Sequence, residues 1–480
     1  MGYLFDSKFI RDNCSILITI ILTPLLLFAA IPILPTFDDW TAYTSPSFEP
    51  LLRKETFLFY GYHWRPFDKI IGYIAGLNPT LLYPALNHCI IVVGHAFCTI
   101  TLFYILHILN LRRLTVNICT LFFFLSPATM ATVLAVDSMN QVYSLLFAMI
   151  AFIVYLKMKS AAKYILFTVI LFISALWKEN GIMWALVSPI LAYAFQRIDF
   201  KQLKKDTVIG IGIGLLYALA IVIQPKEMEI YHEYVPTIIT VIVSFFKFIF
   251  ISFITIDYLY LLCDAKRNLL LAVLTFIPTI PFLYTIYIKK RHLLTSRKDI
   301  CIISCMFLAA APHIFTVFSM MHTYGVLIFV ILIIAVAIDD YTDNCKHILI
   351  SSVLLTASSL VIDIHLCYES YKTSLLCREM SMKAIEKTGS AAENVFLVII
   401  EDDDKKLSSF HVIPYEAFGW GRAVEYFTGY KWPKEVTDTT IERSSSAMTV
   451  AEQIARKKIC SEGYDCVWIV NKSDLKAIRK

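Results

Sequence analysis

Apolar runs of roughly 18 or more residues recur along most of this chain, and a run of that length crosses, as a helix, a hydrocarbon core about 30 Å thick. No other feature restricts the fold so strongly. The composition agrees. Of 480 residues, 58% are hydrophobic, 14% aromatic and only 17% charged, with a mean hydropathy of +0.66. A soluble domain has about a quarter of its residues charged. A single soluble globule, a disordered tail and a nucleic-acid-binding module are therefore excluded, because too little polar surface exists to solvate them. The chain reads as an α-helical polytopic membrane protein whose first partner is the lipid bilayer.

The charges, sorted by loop, give a topology. The first run, Cys14 to Leu34, is too long for a signal-peptide core, and Pro32 and Pro35 stand where a small-residue cleavage site would be; it reads as an uncleaved span. A polar and aromatic loop, 36–79, follows. Further runs lie at 84–109, 115–136, 142–157, 164–177, 182–196 and 207–224. Arg112 and Arg113, then Lys157, Lys159 and Lys163, then Arg197, Lys201, Lys204 and Lys205 fill every second loop. The positive-inside rule makes those loops cytoplasmic and loop 36–79 extracytoplasmic. The run 234–263 carries Lys247 and Asp257, and crossing there would turn the basic segment Lys289–Lys298 outward. It reads as re-entrant or interfacial. Runs at 268–288, 299–320, 323–338 and 347–363 bring the total to about eleven crossings (about 10–12). That assigns residues 1–363 to the membrane and 364–480 to a small extracytoplasmic α/β domain, with a strand at Asn394–Glu401, a helix at Ala447–Lys458 and a strand at Cys466–Asn471. Cys367, Cys377, Cys460 and Cys466 are available for disulfides in an oxidising compartment. No CxxC or His-rich pattern marks a structural zinc site.

A few polar residues remain at the outer ends of the spans. Asp38 and Asp39 follow the first span directly. Two adjacent carboxylates beside a low-dielectric surface repel, and burial raises at least one pKa, as a general base or metal ligand needs; the plain alternative is a solvated helix end. Arg65 precedes Pro66, which opens an amphipathic helix with Phe67, Ile70, Ile71, Ile74 and Leu77 on one face. It is placed to meet an anionic headgroup or to anchor the interface. His88 and His95 share a face of the second span, as candidates for a wet cavity or for hydrogen-bonded packing. Asp137 lines the next outer turn, and Lys178-Glu179 the one after that, where the lysine puts a cation beside a bound phosphate or pairs with its neighbour. Gly210, Gly212 and Gly214 lie inside an apolar span with no strand before them, so they read as helix packing. His313 beside Pro312 reads as a kink residue.

The order of these residues resembles the GT-C superfamily of integral-membrane glycosyltransferases. An acidic pair follows the first span; Arg-Pro precedes an interfacial helix; His-x6-His stands in the second span and Lys-Glu after the fifth. The set is similar to the protein O-mannosyltransferase branch over about residues 30–185, and the layout also resembles the enzymes that glucosylate O-antigen. The resemblance implies inverting transfer of a sugar from a polyprenyl-phosphate donor to an O-antigen, lipopolysaccharide or other glycan acceptor, on the outer face of a bacterial inner membrane. It makes Asp38 or Asp39 the base and gives the donor phosphate to Arg65, Lys178 and His95, with His88, Asp137 and Glu179 lining the substrate site. It leaves the cofactor open between none and a divalent metal, which would fall to Asp38 and Asp39. A lipid-linked-sugar transporter would carry repeats and midplane polar sites, and a polysaccharide polymerase or ligase a large late outer loop; neither pattern is present.

Overall fold

The apolar runs become helices in the order in which the sequence lays them down. The computed structural model describes residues 12–43, 48–58, 64–77, 82–224, 237–254, 273, 296–314, 319–339, 345–388, 394–400, 421–430, 437–471 and 474–480. Cys14–Ala30 (α1) and the short Pro66–Ala75 (α2) precede Ala85–Ile108 (α3), Arg113–Phe124 (α4), Met139–Lys157 (α5) and Ala162–Trp177 (α6). Then come Trp184–Ala194 (α7), Phe200–Val222 (α8), Ile238–Ile254 (α9), Arg297–Ile314 (α10), Thr323–Asp339 (α11) and Cys345–Thr388 (α12). Among the described residues, five stretches are long and apolar enough to cross a bilayer, as a multi-pass membrane protein requires: Ala85–Ile108, Met139–Lys157, Phe200–Val222, Met320–Asp339 and Leu349–Thr388. A bent pair makes a sixth. α1, α6 and Ile238–Phe248 are apolar but shorter. The expected run 268–288 and the end of 234–263 lie outside the described residues, apart from position 273.

Three expected runs take a different form. The run 115–136 breaks after Phe124, and Pro127–Val133 leaves at 43° to α4. Pro127 has no N–H to give and holds Ser126 extended (ψ 120°). The run 182–196 opens with a 3-10 turn, Glu179–Met183, before α7 begins. The run expected to end at 363 does not end there. α12 continues unbroken for 44 residues, about 66 Å at the helical rise, because no glycine or proline interrupts Cys345–Thr388. The position 363/364 therefore falls inside a helix.

Burial sorts the helices. α11 is buried on all sides, from Tyr324 to Ile338, as expected of a helix that is apolar all round. α1 and α8 instead expose Ile21, Leu25 and Phe28, and Leu215, Leu216 and Leu219, faces suited to lipid. Gly210 of α8 lies against the Ala185 carbonyl of α7, where an added Cβ would come within 2.4 Å of the oxygen; Gly212 and Gly214 face open space. Buried Asp206 fastens α8 at its start, accepting from the Tyr155, Tyr164 and Gln202 side chains.

Beyond the bundle stands a four-stranded sheet in the order β2-β1-β3-β4, with β1 Val395–Ile400, β2 Thr437–Ile441, β3 Cys466–Asn471 and β4 Asp474–Arg479. β1 pairs parallel with β2 and β3 (Phe396 opposite Thr437, Val395 opposite Cys466), and β4 returns antiparallel (Cys466 opposite Arg479). Alternate side chains face opposite ways. Val395, Leu397, Ile399, Trp468 and Val470 pack on Cys377, Met380 and Ala384 at the end of α12 and on Val424 of a short helix, Arg422–Thr428 (α13). Phe396, Val398, Ile400, Val467 and Ile469 pack on a stripe of Ala447, Ala451, Ala455 and Ile459 along Ala447–Glu462 (α14). A sheet covered on both faces needs continuous apolar strands, which β1 and β3 supply. Cys367, Cys377, Cys460 and Cys466 are all free thiols.

α13 also docks the sheet domain onto the segment that follows α1. Arg422 Nη1 donates to the Trp40 carbonyl at 2.8 Å, and the Tyr426 hydroxyl donates to the Tyr83 carbonyl at 3.0 Å. Tyr426 and Phe427 close an aromatic cluster around fully buried Trp40, with Tyr43 and Tyr83 completing it.

Candidate functional site

The turn Phe37–Ala42 is a 3-10 helix pinned by Trp40. With the indole enclosed in the aromatic cluster, the neighbouring Asp39 is carried inward to 5% exposure. Its carboxylate then collects backbone donors. Thr36 N–H reaches Oδ2 at 2.8 Å, in the return half of a capping box, and Asp137 N–H reaches Oδ1 at 3.1 Å. The Tyr83 hydroxyl steadies the turn by donating to the Asp39 carbonyl at 2.8 Å. Asp137, in the short link before α5, thus stands directly beside Asp39. Burial, with Asp137 beside it, pushes the Asp39 carboxyl well above the ordinary range against the pull of those N–H groups. Burial raises Asp137 as well, opposed by the Ser138 hydroxyl and Lys178. Two enclosed carboxyls side by side raise the cost of ionising both, which is the direction both groups take.

Across from this pair lie the cations. α2 is set against α6 by the Phe67–Trp177 contact (6.1 Å), and Trp64 stacks on Tyr217 of α8 at 5.9 Å. Arg65, the residue before α2, is thereby held over the Lys178–Gly181 turn. Its Nε and Nη2 grip Glu179 Oε2 and Oε1 at 2.7 and 2.5 Å, a two-pronged pair. Although burial works the other way, Arg65 and Lys178 hold the Glu179 carboxyl well below its usual range. The turn itself is locked by close approach. A Cβ on Gly181 would stand 2.0 Å from Ser174 Oγ, and Ser144 Oγ donates to the Lys178 carbonyl at 3.2 Å.

Lys178 is 5% exposed, and its ammonium makes no hydrogen bond or ion pair among the described residues. Burial and the neighbouring Arg65 lower it to about 7, while Glu179, Asp68 and Asp137 oppose the shift. Asp68, on the first turn of α2, completes the cluster. Its carboxyl accepts from Asn140 Nδ2 at 3.1 Å and is pushed up to about 6 by burial, against Arg65 and Asn140. Behind the turn, Asn180 pairs with His313 Nε2 at 3.2 Å, and His313 stacks on His322 at 4.2 Å between ring centres.

The structure thus brings together Asp39, Arg65, Asp137, Lys178 and Glu179. Asp38 lies in the same turn, with its side chain outside the described residues. The two histidines of α3 are placed elsewhere. His88 Nε2 bonds the Ile33 carbonyl at 2.9 Å, beside the chain entering the Asp39 turn. His95 is enclosed in the core with both ring nitrogens engaged, Nδ1 to the Tyr324 hydroxyl at 2.8 Å and Nε2 to the Phe124 carbonyl at 3.1 Å. Both contacts fit the hydrogen-bonded packing alternative. Arg65, expected to meet an anion, meets Glu179 instead.

Sequence reasoning gave no role at the site to Asp68 or Asn180 and read His313 as a kink residue. Asp68 stands three residues after Arg65, a spacing that signals electrostatic proximity; nothing local ties His313 to the cluster, which it reaches from α10. Among the described residues, no group of three His, Cys, Asp or Glu side chains is arranged to hold a metal ion, and both Asp39 oxygens are taken by N–H donors. Comparison with protein-family models, with curated proteins and with solved structures finds no match.

Proposed function

We propose that the chain is an inverting glycosyltransferase that moves a sugar from a polyprenyl-phosphate donor to a hydroxyl of a cell-surface glycan, of O-antigen or lipopolysaccharide type. The observation that carries this reading is one buried cluster in which two neighbouring carboxyls, Asp39 and Asp137, tied by the Asp137 N–H, adjoin Lys178, whose ammonium has no partner among the described residues. Transfer requires both. The acceptor oxygen attacks the anomeric carbon as the bond from that carbon to the phosphate oxygen breaks. The acceptor proton passes to the Asp39 carboxylate, and charge gathering on the departing lipid phosphate is met by Lys178. Attack opposite the leaving group inverts the anomeric centre. Arg65 contributes by fixing Glu179 and the Lys178 turn.

This reading places the chain in a bacterial inner membrane with about eleven crossings, the cluster and the sheet domain facing outward. The test is transfer from a labelled polyprenyl-phosphate sugar by membranes containing the protein. Asp39→Asn is expected to lower the rate by about 10²–10⁴ with the protein still inserted. Full activity in both Asp39→Asn and Asp38→Asn would refute the assignment of the base.

A further inference from the structure

α3 and α5 both start near the Asp39 cluster, just after Tyr83 and Asp137, and both end at the opposite, basic end of the bundle. There the chain forms a recess of about 550 Å³ lined by Tyr104, His107, Asn110, Lys157, Lys159 and Arg197. A second recess of about 440 Å³ adjoins it, sharing Arg197 and adding Tyr193, Gln196, Asp199 and Arg297. Joined at Arg197, they bring Lys157, Lys159, Arg197 and Arg297 to one end of the bundle, and the catalytic reading uses none of them.

The charges are not neutralised locally. Lys157, Lys159 and Arg197 form no ion pair among the described residues. Arg197 caps the end of α3 by donating to the Ile108 carbonyl, and the Lys157 ammonium stands 5.8 Å from the Tyr104 ring centre. The ends of α3, α5 and α7 contribute about half a negative charge each, which leaves the three full positive charges in excess. In the second recess, Asp199 is occupied in capping α8, accepting from Gln202 N–H at 2.7 Å. Arg297 lies 3.3 Å over the Tyr193 ring and donates to the Tyr193 carbonyl.

Below the first recess, Val93, Phe97 and Tyr104 are exposed along one face of α3, an apolar track running from the recess towards mid-helix. A soluble phosphate has no use for such a track; an acyl chain does.

We propose that this recess is a binding site for an anionic phospholipid. Its phosphodiester sits between Lys157, Lys159 and Arg197, and its acyl chain lies along Val93, Phe97 and Tyr104. The second recess, sharing Arg197, admits a second phosphate, so a two-phosphate lipid such as cardiolipin binds more tightly than phosphatidylglycerol. Basic recesses between spans at the cytoplasmic surface suit such headgroups. The site is independent of the reaction proposed above.

The test is lipid binding to the purified full-length protein in detergent, by native mass spectrometry and by thermal shift, with cardiolipin, phosphatidylglycerol, phosphatidylethanolamine and soluble glycerophosphate. Cardiolipin is expected to bind best and phosphatidylethanolamine and glycerophosphate at least about tenfold more weakly. Lys157→Gln/Lys159→Gln, which removes no hydrogen bond to the bundle, is expected to lose about tenfold in affinity for the anionic lipids, and adding Arg197→Gln to lose more. The control Lys201→Gln/Lys204→Gln, on exposed residues near the start of α8, is expected to change little. Equal losses in test and control variants, equal binding of phosphatidylethanolamine, or glycerophosphate binding as tightly as lipid would each overturn the proposal.

Discussion

The three glycines of α8 are chemically alike and spaced alike, yet the structure assigns them opposite responses to the same substitution. In Gly210→Ala the new Cβ would lie 2.4 Å from the Ala185 oxygen, 3.0 Å from its carbon and 3.1 Å from Leu186 Cδ2. Reaching even the 3.0 Å floor for such contacts requires about 0.6 Å of separation between α8 and α7 at that point. The neighbouring atoms are mostly backbone and cannot rotate away. Overpacking of this kind costs about 1–3 kcal/mol, partly offset by the roughly 0.5–1 kcal/mol that alanine gains over glycine inside a helix. In Gly212→Ala and Gly214→Ala nothing lies within 4 Å of the new methyl, so only the gain remains. The expected gap between Gly210→Ala and the other two is therefore about 1–3 kcal/mol, the size of the packing term alone. Reversible unfolding of the purified protein by titration of a denaturing into a mild detergent, followed by far-ultraviolet circular dichroism, measures it. If all three variants unfold at the same detergent ratio, α8 does not rest on α7 at Ala185, and the packing argument fails.

Two further outcomes concern the cluster. Glu179→Gln leaves Arg65 (side chain 16% exposed) without its carboxylate. Because Glu179 is itself 35% exposed, the loss is about 1–3 kcal/mol, below the cost of breaking a fully buried pair. A double-mutant cycle with Arg65→Gln should return a coupling energy above about 0.5 kcal/mol, and additive losses would show that the pair does not hold the turn. Lys178, lowered to about 7 from 10.5, is charged below that pH and neutral above it in the folded protein, whereas the unfolded chain keeps the charge to 10.5. Its burial therefore disfavours folding most below pH 7, and that penalty is relieved as pH rises from 7 towards 10.5. Anion binding at the cluster should weaken over the same rise. Reductive methylation with isotopic readout should modify Lys178 half-maximally near pH 7, and a profile matching that of Lys159 would contradict the assigned environment.

Much of the bundle was legible because the signal is local. Apolar length marks α3, α5, α8 and α11, and VFLVII and CVWIV mark the two buried strands. The strands β2 and β4 were not legible. TDTTI and DLKAIR carry too little apolar character to be told from loop, and they become strands because β1 and β3 offer them hydrogen-bonding edges. The continuation of α12 past 363 was available in the absence of glycine and proline, but the fall in hydropathy masked it. At the cluster, position and charge singled out Asp39, Arg65, Asp137, Lys178 and Glu179. Their partners could not be read, since Arg65 meets Glu179 across 114 positions and His313 arrives from a helix far along the chain.

By itself, then, the sequence determined the solvent of this protein, the order of its helices and the end of the bundle at which its polar residues collect, because each depends on residues adjacent in the chain. Tertiary structure decided what those residues do. It enclosed His95 between Tyr324 and Phe124, gave Arg65 to Glu179, left Lys178 without a partner among the described residues and brought α13 down over the Asp39 turn. Those outcomes depend on distances between segments far apart in sequence, and only packing sets such distances.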